Sequence, residues 1–344
     1  DSRNQILKLA TTAASGYTSQ VRNAGHIRNR GYEIQLGAVP IQTSKGFRWN
    51  LDLNYGANSS KVVKLDDEGL ITSYRLYSSG IQILASVGEA YGTLFGTSYV
   101  RDANGNVVVD ANGLPKISTT NKTLGKFTPD WTGGISNTFS YRSLSLSFLI
   151  DASVGGSIFS NTNKTGKYTG VLANTLSGRD AEHGGLWYYT AAMGNNVRLP
   201  ESPSYSVSSD GLYYAQVNGQ STRVYQDGIM VEGVTESGSK NEEVVSAEKY
   251  YHRIYSIAEA NVYDASYVKL REVALSYRLP RLWTQKLHLQ EASVTLTGRN
   301  LWTIYKSVPN IDPESALTTG NAQGVEAYSL PTTRSFGVNL SVKF

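Results

Sequence analysis

Along much of this chain apolar and polar residues alternate one for one, the period of a β-strand with a single apolar face. In FRWNLDLNY the apolar set is Phe47, Trp49, Leu51, Leu53 and Tyr55, while Arg48, Asn50, Asp52 and Asn54 point the other way. The same step runs through YEIQLGA (Tyr32, Ile34, Leu36, Ala38), LSLSF (Leu144, Leu146, Phe148) and REVALSYRL (Val273, Leu275, Tyr277, Leu279). It returns in SVTLTGR (Val294, Leu296) and in the terminal FGVNLSVKF. The template predicts roughly nine or ten strands. Asn104-Gly105 and Asn112-Gly113 in RDANGNVVVDANGLP are turn signals, Asn-Gly being favoured where a tight hairpin needs positive φ.

Alternation alone fits a soluble sandwich as well as a membrane barrel. Loop lengths separate the two. The strands near Tyr32 and Phe47 are joined by a short turn at Ser44-Lys45-Gly46, whereas residues 160–250 show little sustained periodicity and read as one very long excursion. Short turns on one side and long loops on the other belong to outer-membrane barrels, and so long a structureless insertion is out of place in a compact soluble domain. Tyr32, Phe47, Tyr55, Tyr141, Phe336 and Phe344 lie at the ends of alternating runs, as girdle aromatics do. Aromatics filling a sandwich core are the alternative.

Composition sharpens this picture. Of 344 residues, 40% are hydrophobic and 17% charged, both low for a globular chain, and Gly (33) and Tyr (23) with Ser, Thr and Asn make up the difference. That mixture suits many strands joined by turns and not a helical core, so the expected fold class is all-β. No run of Lys and Arg accompanies the net charge of +4, so nucleic acid is not an expected partner. The absence of Cys removes disulfides, thiol catalysis and thiolate metal sites. No stretch approaches the ~18 consecutive apolar residues of a transmembrane helix, and DSRNQILKLA lacks a signal-peptide shape, but barrel strands never need such a run.

Candidate chemistry is sparse. There is no G-x-G phosphate loop, no G-x-S-x-G and no H-E-x-x-H. His26, His183, His252 and His288 are far apart, with no second ligand at metal spacing, so no metal or other cofactor is expected. RDANGNVVVD is superficially like a calcium loop through Asp102, Asn104, Asn106 and Asp110. Its glycine falls at 105, one place early, and no closing Glu follows, so two hairpin turns are the better reading. Asp66, Asp67 and Glu68 read as solvated loop charges. In GRDAEHGGLWYYTA, Arg179 and Asp180 precede Trp187, Tyr188 and Tyr189, with Tyr213 and Tyr214 further on. Flat rings beside polar groups suit stacking on sugar faces or peptide side chains, which makes these seven residues candidates for substrate or lid contact; packing of loop against loop is the competing reading.

NAGHIRNRGYEIQL, FTPDWTGGISNTFSYRSLSLSFLIDASVGGSIF, VVSAEKYYHRIY leading into YDASYVKLREVALSYRLP, LTGRNLWTIYKSVPNIDPES and LPTTRSFGVNLSVKF together resemble the C-terminal portion of the SusC/RagA-type TonB-dependent outer-membrane transporters. Residues 170–227 match least. The resemblance implies that 1–344 is the C-terminal part of one large antiparallel transmembrane barrel of about 22 strands, with 160–250 as extracellular loops and the N-terminal plug and first strands outside this chain. It implies no enzyme. It implies active import of a glycan or oligopeptide, a SusD-like surface lipoprotein that closes over the barrel, and coupling to TonB through the N-terminal remainder. In such a barrel, Phe336, Val338, Leu340, Val342 and Phe344 face outer-membrane lipid and serve as the barrel-assembly signal, while Asn339, Ser341 and Lys343 face the lumen. Nine or ten strands with two open edges cannot sit in a bilayer alone, so the expectation is a piece of a longer transporter whose remainder pairs with it. A passive porin without TonB coupling is the alternative, and an outer-membrane hydrolase is a third candidate for which no motif is found.

Overall fold

In the computed structural model of the chain, every residue is described except 11–13, 15, 24, 67 and 287, together with the side chains of 7–10 and 23. The largest element is an eight-stranded antiparallel sheet. Its strands run, in order across the sheet, Ser2–Arg3, His26–Gln42, Phe47–Lys64, Trp131–Tyr141, Leu144–Val154, Tyr267–Arg278, Glu291–Lys306 and Ser335–Lys343. Each long strand pairs with its neighbours in sequence order, so the wall is built as a meander interrupted by insertions. Against the nine or ten strands expected, eight form this wall, and shorter strands make separate sheets within its connections.

Register explains why the alternation matters. One row across the wall reads Ile41, Trp49, Phe139, Leu146, Leu275, Leu296 and Val338, all apolar. The adjacent row reads Gln42, Arg48, Ser140, Ser145, Ser276, Thr295 and Asn339, all polar. Because successive side chains point to opposite faces, seven strands in this register give one apolar and one polar surface. The polar face is cross-linked by hydroxyls, Ser140 with Ser145 at 3.2 Å and Ser276 with Thr295 at 2.8 Å. The apolar face is uncovered: Leu36 is 58% exposed, Leu296 51% and Val338 74%. A soluble monomer rarely leaves a continuous apolar surface of this extent in water. Among the described residues no helix is long and apolar enough to cross a membrane, which leaves crossing by strands open.

One polar residue interrupts the apolar face. Asn137 lies in the row of Leu51, Phe148 and Val273, yet it is buried, and its Oδ1 accepts from Trp49 Nε1 at 3.0 Å. Trp49→Phe keeps the ring and removes the donor. It is expected to cost about 1–3 kcal/mol, read as a lowered denaturant midpoint of the folded protein, and Asn137→Val in the same chain should restore most of the loss.

The connections divide sharply between the two ends of the wall. At one end they are short: residues 43–46, 142–143 and 279–290, the last carrying helix α3 (Arg281–Lys286). At the other end they are long: 4–25, which carries a two-stranded hairpin, and three excursions, 65–130, 155–266 and 307–334. The sequence pattern singles out 160–250 alone; the structure adds two further excursions, and none of the three is structureless. The first holds a four-stranded sheet, and the second holds a six-stranded sheet with helices α1 (Asn161–Thr169) and α2 (Ala247–Tyr255). All three contribute to one core, in which Ile81, Ile83 and Leu94 of the first meet Phe159 and Ala258 of the second and Val325 of the third. The excursions therefore form a packed layer over one end of the wall.

Two details of that layer differ from expectation. In both Asn-Gly turns only the glycine has positive φ, 87° at Gly105 and 75° at Gly113, and Asp102 and Asp110 close the turns through their main chains. The carboxylates of these aspartates accept from Asn104 and Asn106 N–H and from Asn112 and Leu114 N–H, which is turn capping. Asp66 is not a solvated charge but a buried one, accepting from the N–H groups of Leu70 and Ile71 at 3.0 and 3.2 Å. Glu68 is exposed, and Asp67 lies outside the described residues.

Candidate functional site

Helices α1 and α2 organise the middle of the excursion layer. Ser160 caps α1 by accepting from Asn163 N–H at 3.0 Å, and Gly170 ends it in the left-handed conformation with φ 69°. The fully buried Glu326 of the third excursion completes the N-terminus. Its carboxylate accepts from Ser160 Oγ (2.7 Å), Thr162 Oγ1 (2.6 Å) and Thr162 N–H (3.2 Å), where a negative charge is favoured by the helix dipole. α2 is capped by Ser246, which accepts from Lys249 N–H, carries Glu248 in its first turn, and has His252 and Arg253 in its last. Arg253 bonds Asp110 Oδ2 at 2.9 Å and the Pro115 carbonyl at 3.0 Å, tying the first excursion to α2. Between the helices Tyr168 stacks on His252 with centroids 4.1 Å apart.

Two cavities open beside these helices. One, of about 730 Å³, is lined by Tyr99, Lys167, Glu232, Tyr250 and Tyr251 among others. The second, of about 620 Å³, is lined by Lys167, Arg179, Asp227, Glu248, Tyr251 and His252. Lys167 and Tyr251 border both. Burial brings the Lys167 ammonium down to about 8, and burial raises the Asp227 carboxyl despite the hydrogen bond it accepts from Tyr188 OH. Tyr99 and Tyr250 are likewise raised by burial, so they stay neutral donors.

Of the seven residues singled out in the sequence, the structure brings only Arg179 to a cavity. Asp180 caps a short turn, accepting from His183 N–H at 2.8 Å and contacting His183 Nδ1 at 2.7 Å. Trp187 is buried with Ala215 and Val224, stacked on Tyr205 at 5.1 Å and edge-on to Tyr213 at 5.7 Å. Tyr188 is buried on the opposite face of its strand against Tyr225. Tyr189 and Tyr213 pack around the Trp187 cluster, and Tyr214 is half-buried in the Tyr213–Val217 strand. These rings build the small sheet and line neither of the two cavities. Sequence reasoning missed Lys167, Tyr251 and Asp227. The Ser-x-x start and the apolar spacing of SAEKYYHRIY mark α2 and hence Tyr251, but nothing local marks Lys167 or Asp227.

A second constellation pins the third excursion to the wall. Lys269, 3% exposed, lies 2.6 Å from Asp312 Oδ1 and 2.5 Å from Glu314 Oε2. Arg271 joins Glu314 to Asp151 of the neighbouring strand, with Nε to Asp151 Oδ2 at 2.8 Å. Tyr267 OH donates to Glu314, and Thr332 Oγ1 to Asp312 at 2.5 Å. Burial on its own would raise the Asp312 carboxyl, but the hydrogen bonds from Lys269, Thr332 and Glu314 N–H outweigh it and hold it at about 2.

No protein-family model matches the chain. It is similar to two curated proteins of Formosa agariphila: TonB-dependent receptor P3, 26% identical over 96% of this chain and 30% of the receptor, and TonB-dependent receptor P26, 24% identical over 98% and 31%. The chain thus spans about a third of the length of these relatives. Among solved structures it is similar to the RagAB peptide transporter, with a TM-score of 0.57 at 18% identity over 99% of this chain and 32% of that one. The open-open state of the RagAB peptide importer gives 0.58 at 17% identity.

Proposed function

We propose, for a chain that shares the fold and resembles the sequence of the SusC/RagA-type TonB-dependent transporters, that it forms the C-terminal wall and mouth of an outer-membrane importer. The uncovered apolar face meets lipid, the polar face lines the lumen, and the strands that complete the barrel belong to the remainder of the same polypeptide. The observation that carries this reading is the division of connections. Three short ones lie at one end and the long ones, three of them mutually packed, at the other, as a barrel with short periplasmic turns and long extracellular loops requires.

On this reading the excursions are the extracellular layer where solute, a glycan or an oligopeptide, is received beneath a SusD-like lipoprotein. The work is binding and gating, driven through TonB acting on a plug in the N-terminal remainder. Phe336, Val338, Leu340, Val342 and Phe344, all exposed on the apolar side of the last strand, fit the assembly signal. Uptake by cells carrying the full transporter tests the reading: solute entry should fall to background without TonB and strongly without the lipoprotein. Entry unchanged without TonB would mean a passive porin.

A further inference from the structure

Lys167 and Arg179 are unusual cations in this molecule. Several cations drawn into the interior are paired with acids, Lys269 with Asp312 and Glu314, Arg271 with Asp151 and Arg253 with Asp110, while Lys164 lies over the Tyr255 ring, 4.1 Å from its centroid. Lys167 Nζ donates instead to the Ala260 carbonyl at 2.8 Å and to Asn261 Oδ1 at 3.4 Å, with the Tyr263 ring 5.3 Å away. Its third hydrogen has no acceptor among the described residues. Arg179 Nη2 donates to the Gly170 carbonyl and to Thr175 Oγ1, again neutral oxygens. Both side chains border the cavity of about 620 Å³. The carboxylates on that cavity do not neutralise them: Asp227 is engaged by Tyr188 OH, and Glu248 forms no ion pair among the described residues.

Drawing a cation even part of the way out of water without a counter-charge is costly, and the usual remedies are a paired acid or loss of the proton; Lys167 and Arg179 are both half-buried. Here neither cation has an ion pair among the described residues, and both stand on the wall of a solvent-reached cavity. We infer that Lys167 and Arg179 form an anion subsite that holds a carboxylate of the transported solute. The inference rests on the import reading and deepens it. The burial that lowers Lys167 toward about 8 agrees with a site that lacks its anion, because an arriving carboxylate would favour the charged form. Tyr251, which borders both cavities and is held by the carbonyls of Asn174 and Ser177 at 3.2 Å, offers a fixed ring beside the subsite.

The carboxylate has two sources, a peptide terminus or an acidic sugar, and paired probes separate them. Calorimetry on the full transporter with its lipoprotein would compare a hexapeptide bearing a free C-terminus with its C-terminal amide, and tri-galacturonate with its methyl ester. At least one acid should bind about tenfold or more tighter than its neutral partner, as a charge-assisted hydrogen bond provides. Lys167→Met and Arg179→Gln should each erase that preference while the neutral partner binds within about twofold of wild type, and Lys167→Arg should keep part of it. If acid and neutral probes bind alike in both pairs, or fail to bind in both, or if Lys167→Met leaves the preference intact, the inference falls. TonB-dependent uptake measured alongside keeps the two ideas apart: uptake that needs TonB without any acid preference removes the subsite and leaves the importer.

Discussion

Leu296→Arg is expected to remove the assembled barrel from the outer membrane, whereas Thr297→Arg, one residue on, is expected to leave it in place. Leu296 sits in the apolar row between Leu275 and Val338, near the middle of the wall, and is half exposed on that face. A guanidinium there faces lipid and costs about 2–4 kcal/mol at mid-membrane depth, enough to stall a strand that must partition as it pairs. Thr297 points to the polar face, where its neighbours in register are Ala274 and Gly337, and an Arg there has both room and water. Heat-modifiable migration of outer-membrane extracts reads the difference. Equal tolerance of the two substitutions would show that the two faces see the same solvent.

Lys269→Met should release the third excursion. It leaves Asp312 buried with only Thr332 and backbone donors, and it takes one of two cations from Glu314, which keeps Arg271 and Tyr267. Removing one partner of a buried pair costs about 3–5 kcal/mol. Hydrogen exchange at the Leu317 amide, bonded to the Val325 carbonyl at 2.7 Å, should therefore accelerate by about two to three orders of magnitude, each 1.4 kcal/mol being tenfold. Adding Asp312→Asn should slow it again, since the uncompensated charge is gone. Acid acts on the same latch. Asp312 has its proton affinity lowered by folding, so its contribution is complete above about pH 4 and fades only as pH falls toward 2.

The wall was legible because its signal has period two and repeats over long strands: 18 residues at Phe47–Lys64 and 16 at Glu291–Lys306 give alternation many chances to show. Asn137 looks like an error in that pattern until Trp49, two positions along the neighbouring register, is seen to satisfy it. The excursions were not legible in the same way. Several of their strands, such as Asn196–Arg198 and Tyr205–Val207, are three residues long, too short for any period, and their shared core joins residues as distant as Ile81 and Val325. Aromatic clustering at Trp187-Tyr188-Tyr189 marks a dense place in the fold and does not by itself assign a use, because rings fill a small sheet's core as readily as they face a ligand. Lys167 becomes conspicuous only when its lack of a carboxylate partner is set beside the pairing of Lys269.

The account stands most directly on the two faces of the last strand. This sequence contains no cysteine, and in a full transporter freed of any other cysteines, single cysteines at 338, 339, 340 and 341 can be probed in intact outer-membrane vesicles with a water-soluble maleimide and with a lipid-soluble one. Positions 339 and 341 should take the water-soluble reagent and 338 and 340 the lipid-soluble one, in strict alternation. Reaction of all four with the water-soluble reagent would contradict the account, because the apolar face would then lie in water and the wall would not be a membrane wall.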